Sequence, residues 1–426
     1  MASGRVELAS TGVQDQYITD SPTFTYFHKQ FRRHTRFAVD TVINTFNNDV
    51  DFGKTMRCTI IRKGDLIKTI SVKFILPPLS DADDPSGIGY TDSIAHAFIE
   101  YADLVVGGQL VERVTGESME IYHELFTSDS HQAALKYSGG KTGTRGGMGP
   151  ASSTVEGEYG TYPRRVTAAI PFYFYRNPSQ AFPLCALDRQ EVEIVLKIKN
   201  LKDVVTATAI DTPVDLSTVE TVGLVKFSCE LAIEYVYITQ TEIDFFKHRG
   251  VDYLITQTQL TTVRFAPGEE FKKIRLNFTN PCSELWMVMQ NSSNVSTYND
   301  LFNYYNYEQT ASPKLHQIKK IGLDFNNETR ISEDIAESDF LRYTQPMDFH
   351  TRVPTRNIYC YSFSMDPESM EPQGQVNLSR IINKDLNVTA TPSTDHRILR
   401  IYARVYNVLR IQHGLGGVIF NDVAPN

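Results

Sequence analysis

The sequence has no apolar run near the ~18 residues needed to cross a bilayer. Its first twenty residues, MASGRVELASTGVQDQYITD, lack the apolar centre of a secretory signal. These absences predict a chain that neither spans a membrane nor enters the secretory route. Positive charge is also short: the formal net charge is -8 and the pI is near 5.7. Sequence-independent nucleic-acid binders need basic surface to displace counterions, so no direct nucleic-acid contact is expected. Cysteines are few, and Cys58, Cys185, Cys229, Cys282 and Cys360 stand far apart with no C-x-x-C pair. That argues against a zinc ribbon. It predicts thiols packed as small apolar side chains in a reducing compartment.

Helix signals are sparse as well. Met119, Tyr122 and Phe126 fall at i, i+3 and i+7 in GESMEIYHELF, which predicts one short helix. DFFKHRG, from Asp244 to Gly250, predicts another with Gly250 as its C-cap. What the chain has in quantity is period-two alternation. Ile70-Ser-Val-Lys-Phe74 alternates strictly. Val192, Ile194, Leu196 and Ile198 share one face, as do Leu231, Ile233, Tyr235 and Tyr237, and Ile274, Leu276 and Phe278. Such runs are half-buried strands. Gly107-Gly108, between apolar runs, predicts a tight hairpin because both turn positions need positive φ. Many strands with few helices mean sandwiches or barrels.

At ~150 residues per domain, 426 residues suggest two or three domains. Two polar stretches, Tyr137 to Tyr162 and Gln290 to Pro313, interrupt the strand pattern and read as surface loops. YFHKQFRRHTRFAVDTV near the start and DFFKHRGVDYLITQTQL near the middle share an order of aromatic, basic and strand-like residues. That echo places the start of a second domain near Ile238 to Asp244.

Candidate chemical motifs fail on their spacing. Gly140-Lys141-Thr142 is the tail of a phosphate loop, but Leu135 stands where the leading glycine belongs. His123-Glu124 begins a zinc-protease motif, but Thr127 replaces the second histidine. Arg145-Gly-Gly occurs once, whereas RNA-binding segments of this kind repeat. Asp81, Asp83 and Asp84 read as a solvated turn without calcium-loop spacing. Glycosylation sequons occur at several asparagines; Asn291 and Asn294, in the second polar stretch, are the accessible glycan candidates, but without a secretory signal the sequons read as chance occurrences that do not meet the glycosylation machinery. No cofactor and no metal site is expected.

The C-terminal stretch VYNVLRIQHGLGGVIF runs a strand into Gly414, Gly416 and Gly417. A phosphate site would need a helix behind these glycines, and the chain ends at Asn426. The glycines therefore read as a bend or bulge, or as a point where another backbone comes close. Leu399, Ile401, Ala403, Val405, Leu409 and Ile411 form one apolar side, with Arg400, Arg404 and Arg410 opposite. Asn407 interrupts the apolar side, which predicts a bond from its amide to backbone near the bend.

Several of these segments together resemble one family, the major capsid proteins of nucleocytoplasmic large DNA viruses. The residues that carry the resemblance are YNVLRIQHGLGGVIFND, EPQGQVNLSRI from Glu371, FRRHTRFA from Phe31, RKGDLI at Arg62, VGGQLVERVTGESMEIYHEL from Val106, and PFYFYRNPSQAFPLCALDRQEVEI from Pro171. They fall in the family's order and cover nearly the whole chain.

The resemblance implies an all-β fold of two tandem eight-stranded antiparallel jelly rolls, with long surface loops and few short helices. The expected divisions are an N-terminal arm (1–24), a first jelly roll (25–238) and a second (239–426). It implies a structural, non-enzymatic protein of the icosahedral outer shell that forms homotrimeric, pseudo-hexagonal capsomers. Its partners would be neighbouring capsomers and minor capsid proteins beneath the shell. It would be made and assembled in the host cytoplasm and reside in the virion. No residue would be catalytic; Arg32, Arg33, His34, Asn407, Arg410, Gly414, Gly416 and Gly417 would be structural. Arg32, Arg33 and His34 would meet a neighbouring subunit or the inner side of the shell. Two alternatives stay open: a minor capsid or spike protein of the same fold, and a carbohydrate-binding β-sandwich using exposed tyrosines such as Tyr304 and Tyr305.

Overall fold

The alternating stretches form strands whose apolar faces pair off into two sandwiches. The computed structural model describes residues 3–77, 79–80, 88–141, 164–207, 220–221, 226–296, 301–302, 304 and 316–420. The first sandwich is built from β1 (Ala38–Asn44), β2 (Thr55–Thr59), β3 (Leu66–Leu76), β4 (Ile99–Val106), β5 (Gln109–Thr115), β6 (Arg164–Ala169), β7 (Val192–Ile198) and β8 (Ser228–Tyr237). One sheet has the order β1-β8-β3-β6 and the other β2-β7-β4-β5, all antiparallel. The pairs β1–β8, β2–β7, β3–β6 and β4–β5 are those of one long hairpin rolled upon itself, which defines a jelly roll.

The second sandwich repeats this order. Its strands are β9 (Val251–Phe265), β10 (Phe271–Arg275), β11 (Pro281–Asn291), β12 (Ile318–Phe325), β13 (Glu328–Ile331), β14 (Ile358–Ser362), β15 (Lys384–Ala390) and β16 (Arg397–Gln412). The sheets run β9-β16-β11-β14 and β10-β15-β12-β13, again antiparallel. A further short strand, β17 (Leu415–Val418), pairs with the end of β16. The chain is therefore an all-β double jelly roll.

Inward-facing Ile70, Val72, Phe74, Ile194, Leu196, Leu231 and Ile233 are fully buried in the first core. Leu285, Met287, Ile321, Leu386, Leu399 and Ile401 do the same in the second. Each such side chain contributes roughly 1.5–3 kcal/mol, and period two repeats that gain along every strand. Gly107 and Gly108 have φ of +56° and +81° between β4 and β5, the two-residue hairpin expected from the sequence. All five cysteines are free, four buried and Cys185 partly so.

Of three helices, the first spans the stretch expected from the sequence and the other two differ in detail. α1 (Gly116–Phe126) is capped by Thr115, whose hydroxyl accepts the Ser118 N–H. α2 (Asp129–Ser138) takes up Tyr137, where a loop was expected. α3 (Gln240–His248) starts four residues before Asp244, because Thr239 and Glu242 form a capping box. Arg249, not Gly250, is its C-cap, and Gly250 is not in the left-handed region. The other expected loop also begins late: Gln290 and Asn291 complete β11. Most of its remainder, and 142–163 with Arg145, lie outside the described residues, as do Asp81, Asp83 and Asp84.

Met1–Phe37 is a unit by itself, and Ala38–Asn426 is the other. The first carries two short helices, Ser3–Ala9 and Val13–Thr19, with no buried residue in either.

Candidate functional site at the junction between the sandwiches

On the second sandwich, the face of β11, β14 and β16 that turns away from its own core carries Glu284, Trp286, Val288, Ile358, Cys360, Arg400, Tyr402 and Arg404. An outer sheet face ordinarily meets water. Here Trp286, Val288, Ile358, Cys360 and Tyr402 belong to the first sandwich's core cluster. The two sandwiches therefore share apolar packing, and α1 lies in the seam. Phe126 sets its ring edge against Trp286 at 6.0 Å and its face against the Arg404 guanidinium at 4.8 Å.

α1 also brings three acids to this seam. Glu117, Glu120 and Glu124 fall at i, i+3 and i+7, one stripe of a helix. Glu117 accepts from Tyr304 at 2.8 Å and from Tyr402 at 2.5 Å, and pairs with Arg400 at 2.5 Å. Glu120 receives Arg356 at 2.8 Å, Lys141 at 2.9 Å and His96 at 2.7 Å. Glu124 receives Arg352 at 2.8 Å and the Thr355 N–H at 2.7 Å, and also meets Lys141. Arg356 further reaches Asp92 at 2.7 Å. Burial opposes charge on Glu120, but Lys141, Arg356 and His96 outweigh it and hold the carboxyl well below its usual range. Glu124 is likewise lowered, with burial and Glu120 opposing and Lys141 and the arginines prevailing.

Around this stripe lie further groups shifted by burial or by a charged neighbour. Glu112 is buried and accepts the Tyr173 N–H at 2.9 Å. Burial pushes its carboxyl up to about 8, against the pull of that N–H and of Arg404. His123 stacks on His96 at 4.9 Å, and burial lowers it to about 3. In the second sandwich His350 lies 3.0 Å from Glu284. Burial disfavours its charge, but Glu284 raises it well above the ordinary histidine value.

A second contact joins the sandwiches at the C-terminal hairpin. His413 and Gly414 have φ of +55° and +81°, so β16 reverses into β17 through a two-residue turn rather than bending. This corrects the expected bend or bulge. Of the three glycines, Gly414 alone has positive φ. A Cβ on Gly414 would meet Asp188 Oδ1 at 1.9 Å, and one on Gly416 would meet Leu187 Cδ2 at 2.9 Å. The Gly416 N–H donates to Gln190 Oε1 at 2.7 Å, and the Arg189 N–H donates to the Gly414 carbonyl at 3.3 Å. Arg62 donates to the carbonyls of Leu187 and Gln190. A Cβ on Gly107 would strike Gln190 at 2.5 Å. Four segments far apart in sequence, RKGDLI, VGGQ, CALDRQ and HGLGG, thus meet at one place.

Asn407 is buried where β16 passes from one core to the other: Val405 packs in the second and Leu409 in the first. Its amide donates to the Phe420 carbonyl at 2.8 Å and to Gln257 Oε1 at 2.9 Å. Arg410 forms an exposed two-bond pair with Asp252 across the strands, at 2.7 and 2.8 Å. Arg32, Arg33 and His34 are exposed in the Met1–Phe37 unit, away from this hairpin in the chain.

Other sequence candidates change meaning. Asn291 was expected to be accessible, but it is buried on β11 and its side-chain oxygen accepts from Gln317 at 2.9 Å. Asn294 lies in the short helix Ser292–Ser296, with its side chain outside the described set. Tyr304 is fully buried against Glu117, so it offers no sugar platform, and Tyr305 is outside the described residues. Lys141 and Glu124, weighed as fragments of nucleotide and zinc motifs, are partners in the seam. Among the described residues no group of three or more His, Cys, Asp or Glu is placed to hold a metal ion.

The sequence reading missed Glu117, Glu120 and Glu124. Their spacing was visible, but a charged stripe on a helix ordinarily faces water. Their partners Arg352, Arg356 and Arg400 lie more than 220 residues away, beyond any local pattern.

Residues 25–239 match the family described as "Major capsid protein N-terminus", and residues 242–417 match "Large eukaryotic DNA virus major capsid protein". The chain is 28% identical to the major capsid protein of Pyramimonas orientalis virus, covering 99% of this chain and 100% of the relative. It is 26% identical to that of Phaeocystis pouchetii virus, again covering 99% and 100%. A quasi-atomic model of the PBCV-1 virus capsid has the same fold, with a TM-score of 0.77 at 24% identity over 93% of this chain and 100% of that one.

Proposed function

Because the chain belongs to the major capsid proteins of large eukaryotic DNA viruses, and so is a structural protein of the virion's capsid, we propose that it builds the outer shell as a homotrimeric capsomer. The observation that carries this is the repeat itself: two jelly rolls with the same strand order in one chain. Three chains supply six similar units, and six similar units around one axis give a near-hexagonal outline that tiles a shell. Each contact between capsomers is weak alone and strong in number.

In this reading 1–24 is an arm, 25–238 the first unit and 239–426 the second. Arg32, Arg33 and His34 meet a neighbouring subunit or the inner side of the shell. Minor capsid proteins bind beneath, assembly takes place in the host cytoplasm, and no residue acts in catalysis. Arg410, Asn407 and the C-terminal glycines serve the fold.

Electron microscopy of the purified protein tests the reading. Class averages with three-fold symmetry and a hexagonal outline are expected; particles of single-chain size contradict it. Abundance in purified virions separates the principal shell protein from a minor one of the same fold.

A further inference from the structure

Along the seam between the sandwiches Lys141, Arg352, Arg356, Arg400 and Arg404 each meet a carboxylate. Lys199, the half-buried residue after β7, does not. Its backbone is fixed, because its N–H donates to the Phe98 carbonyl at 2.9 Å and its carbonyl accepts the Gly53 N–H at 3.2 Å. Its ammonium has no ion pair and no side-chain hydrogen bond among the described residues. The acids beside it are taken: Glu117 by Arg400, Tyr304 and Tyr402, and Glu100 by Lys197 at 2.8 Å. Burial, helped by Arg400, holds the lysine below its ordinary value, although Glu117, Asp203 and Glu100 oppose it. An ammonium withdrawn from water without a counter-ion costs free energy.

Lys199 lines a cavity of about 210 Å³ between the sandwiches. A single water needs only about 10–15 Å³ of such space, so the cavity has room for a small molecule. Its walls are apolar at Ile99 of the first sandwich and at Leu260, Leu301 and Phe302 of the second, and positive at Lys199 and Arg400. Ligand sites ordinarily combine apolar walls with a few polar groups that fix orientation. Arg400 is already engaged by Glu117 and, at 2.6 Å, by Gln290. Lys199 is therefore the group left to hold a ligand's charge, with three donors on a flexible stem.

We infer that this cavity binds a small organic anion, a carboxylate or phosphate on an apolar body, with the anionic head on Lys199 and the body against Leu260, Leu301 and Phe302. The ligand supplies the counter-ion that the chain does not. It touches both sandwiches at once and fits only the folded chain, so it stabilises the junction in proportion to its concentration and affinity.

Titration calorimetry of the purified full chain with benzoate and with phenyl phosphate tests it. Saturable binding of at least one, at one per chain, is expected, and the tighter of the two identifies the head group. No saturation by either up to about 10 mM overturns the site. Benzyl alcohol has the body without the charge and is expected to bind at least about tenfold more weakly; comparable binding overturns the role of Lys199. Lys199→Met is expected to weaken the anion by about tenfold or more. Without ligand it is expected to melt at or above the wild type, because it removes an unpaired charge. Unchanged affinity, or a marked loss of stability in the ligand-free variant, overturns the assignment. Leu260→Glu gives a second reading: its carboxylate enters the cavity as the counter-ion and is expected to abolish binding, whereas wild-type affinity in this variant contradicts the site.

Discussion

The guanidinium Nε of Arg356 lies 2.8 Å from Oε1 of Glu120, and 236 residues separate them in sequence. The pair joins the entry to β14 of the second sandwich to α1 of the first. Removing one partner of a buried pair leaves the other charge stranded in low dielectric. Arg356→Met is therefore expected to cost about 3–5 kcal/mol in urea unfolding. A loss below about 1 kcal/mol, the worth of an exposed pair, would show that the seam does not hold the sandwiches together.

Glu112 gives a stability that falls as pH rises. Its carboxyl is buried and pushed from 4.5 to about 8 in the folded chain. Between those values the folded state holds a proton that the unfolded state has lost, so stability is full below the lower value and declines toward the higher. Glu112→Gln keeps an acceptor for the Tyr173 N–H and removes the titration. The variant is expected to show a flatter stability profile from pH 5 to 8, measured by thermal melting. Profiles that superpose would contradict the assignment.

Asn407 ties Phe420, just past β17, back to β16. Asn407→Leu leaves the Phe420 carbonyl and the Gln257 side chain without their donor, at a cost of about 1–3 kcal/mol. An unchanged melting temperature would mean that the bond does not contribute.

The C-terminal glycines are not equivalent. Gly416→Val drives a side chain into Leu187 and is expected to cost about 1–3 kcal/mol by overpacking. Gly417→Ala meets only the flexible end of Gln109, at 3.0 Å, and is expected to be tolerated. Equal losses by thermal denaturation would contradict this distinction.

The strands were legible because alternation such as Val192 to Ile198 is written locally, and Gly107-Gly108 names its own turn. α3 was half legible: the aromatic run showed, but the Thr239–Glu242 capping box that starts it was passed over. The seam was not legible at all. Glu120 and Glu124 look like a solvated stripe until the fold brings Arg356 and Arg352 against them. Asn291 misled for the same reason, since a polar neighbourhood in sequence says nothing of the β11 strand that buries it. Asn407 was legible as an interruption, but its partner Phe420 lies past the turn rather than in it.

In the proposed capsomer each chain supplies two of six like units. Light scattering of the purified wild-type protein tests it most directly. A stable species of three chains is expected, 144.6 kDa for a 48.2 kDa protomer. A single species at 48.2 kDa across the concentration range would contradict it.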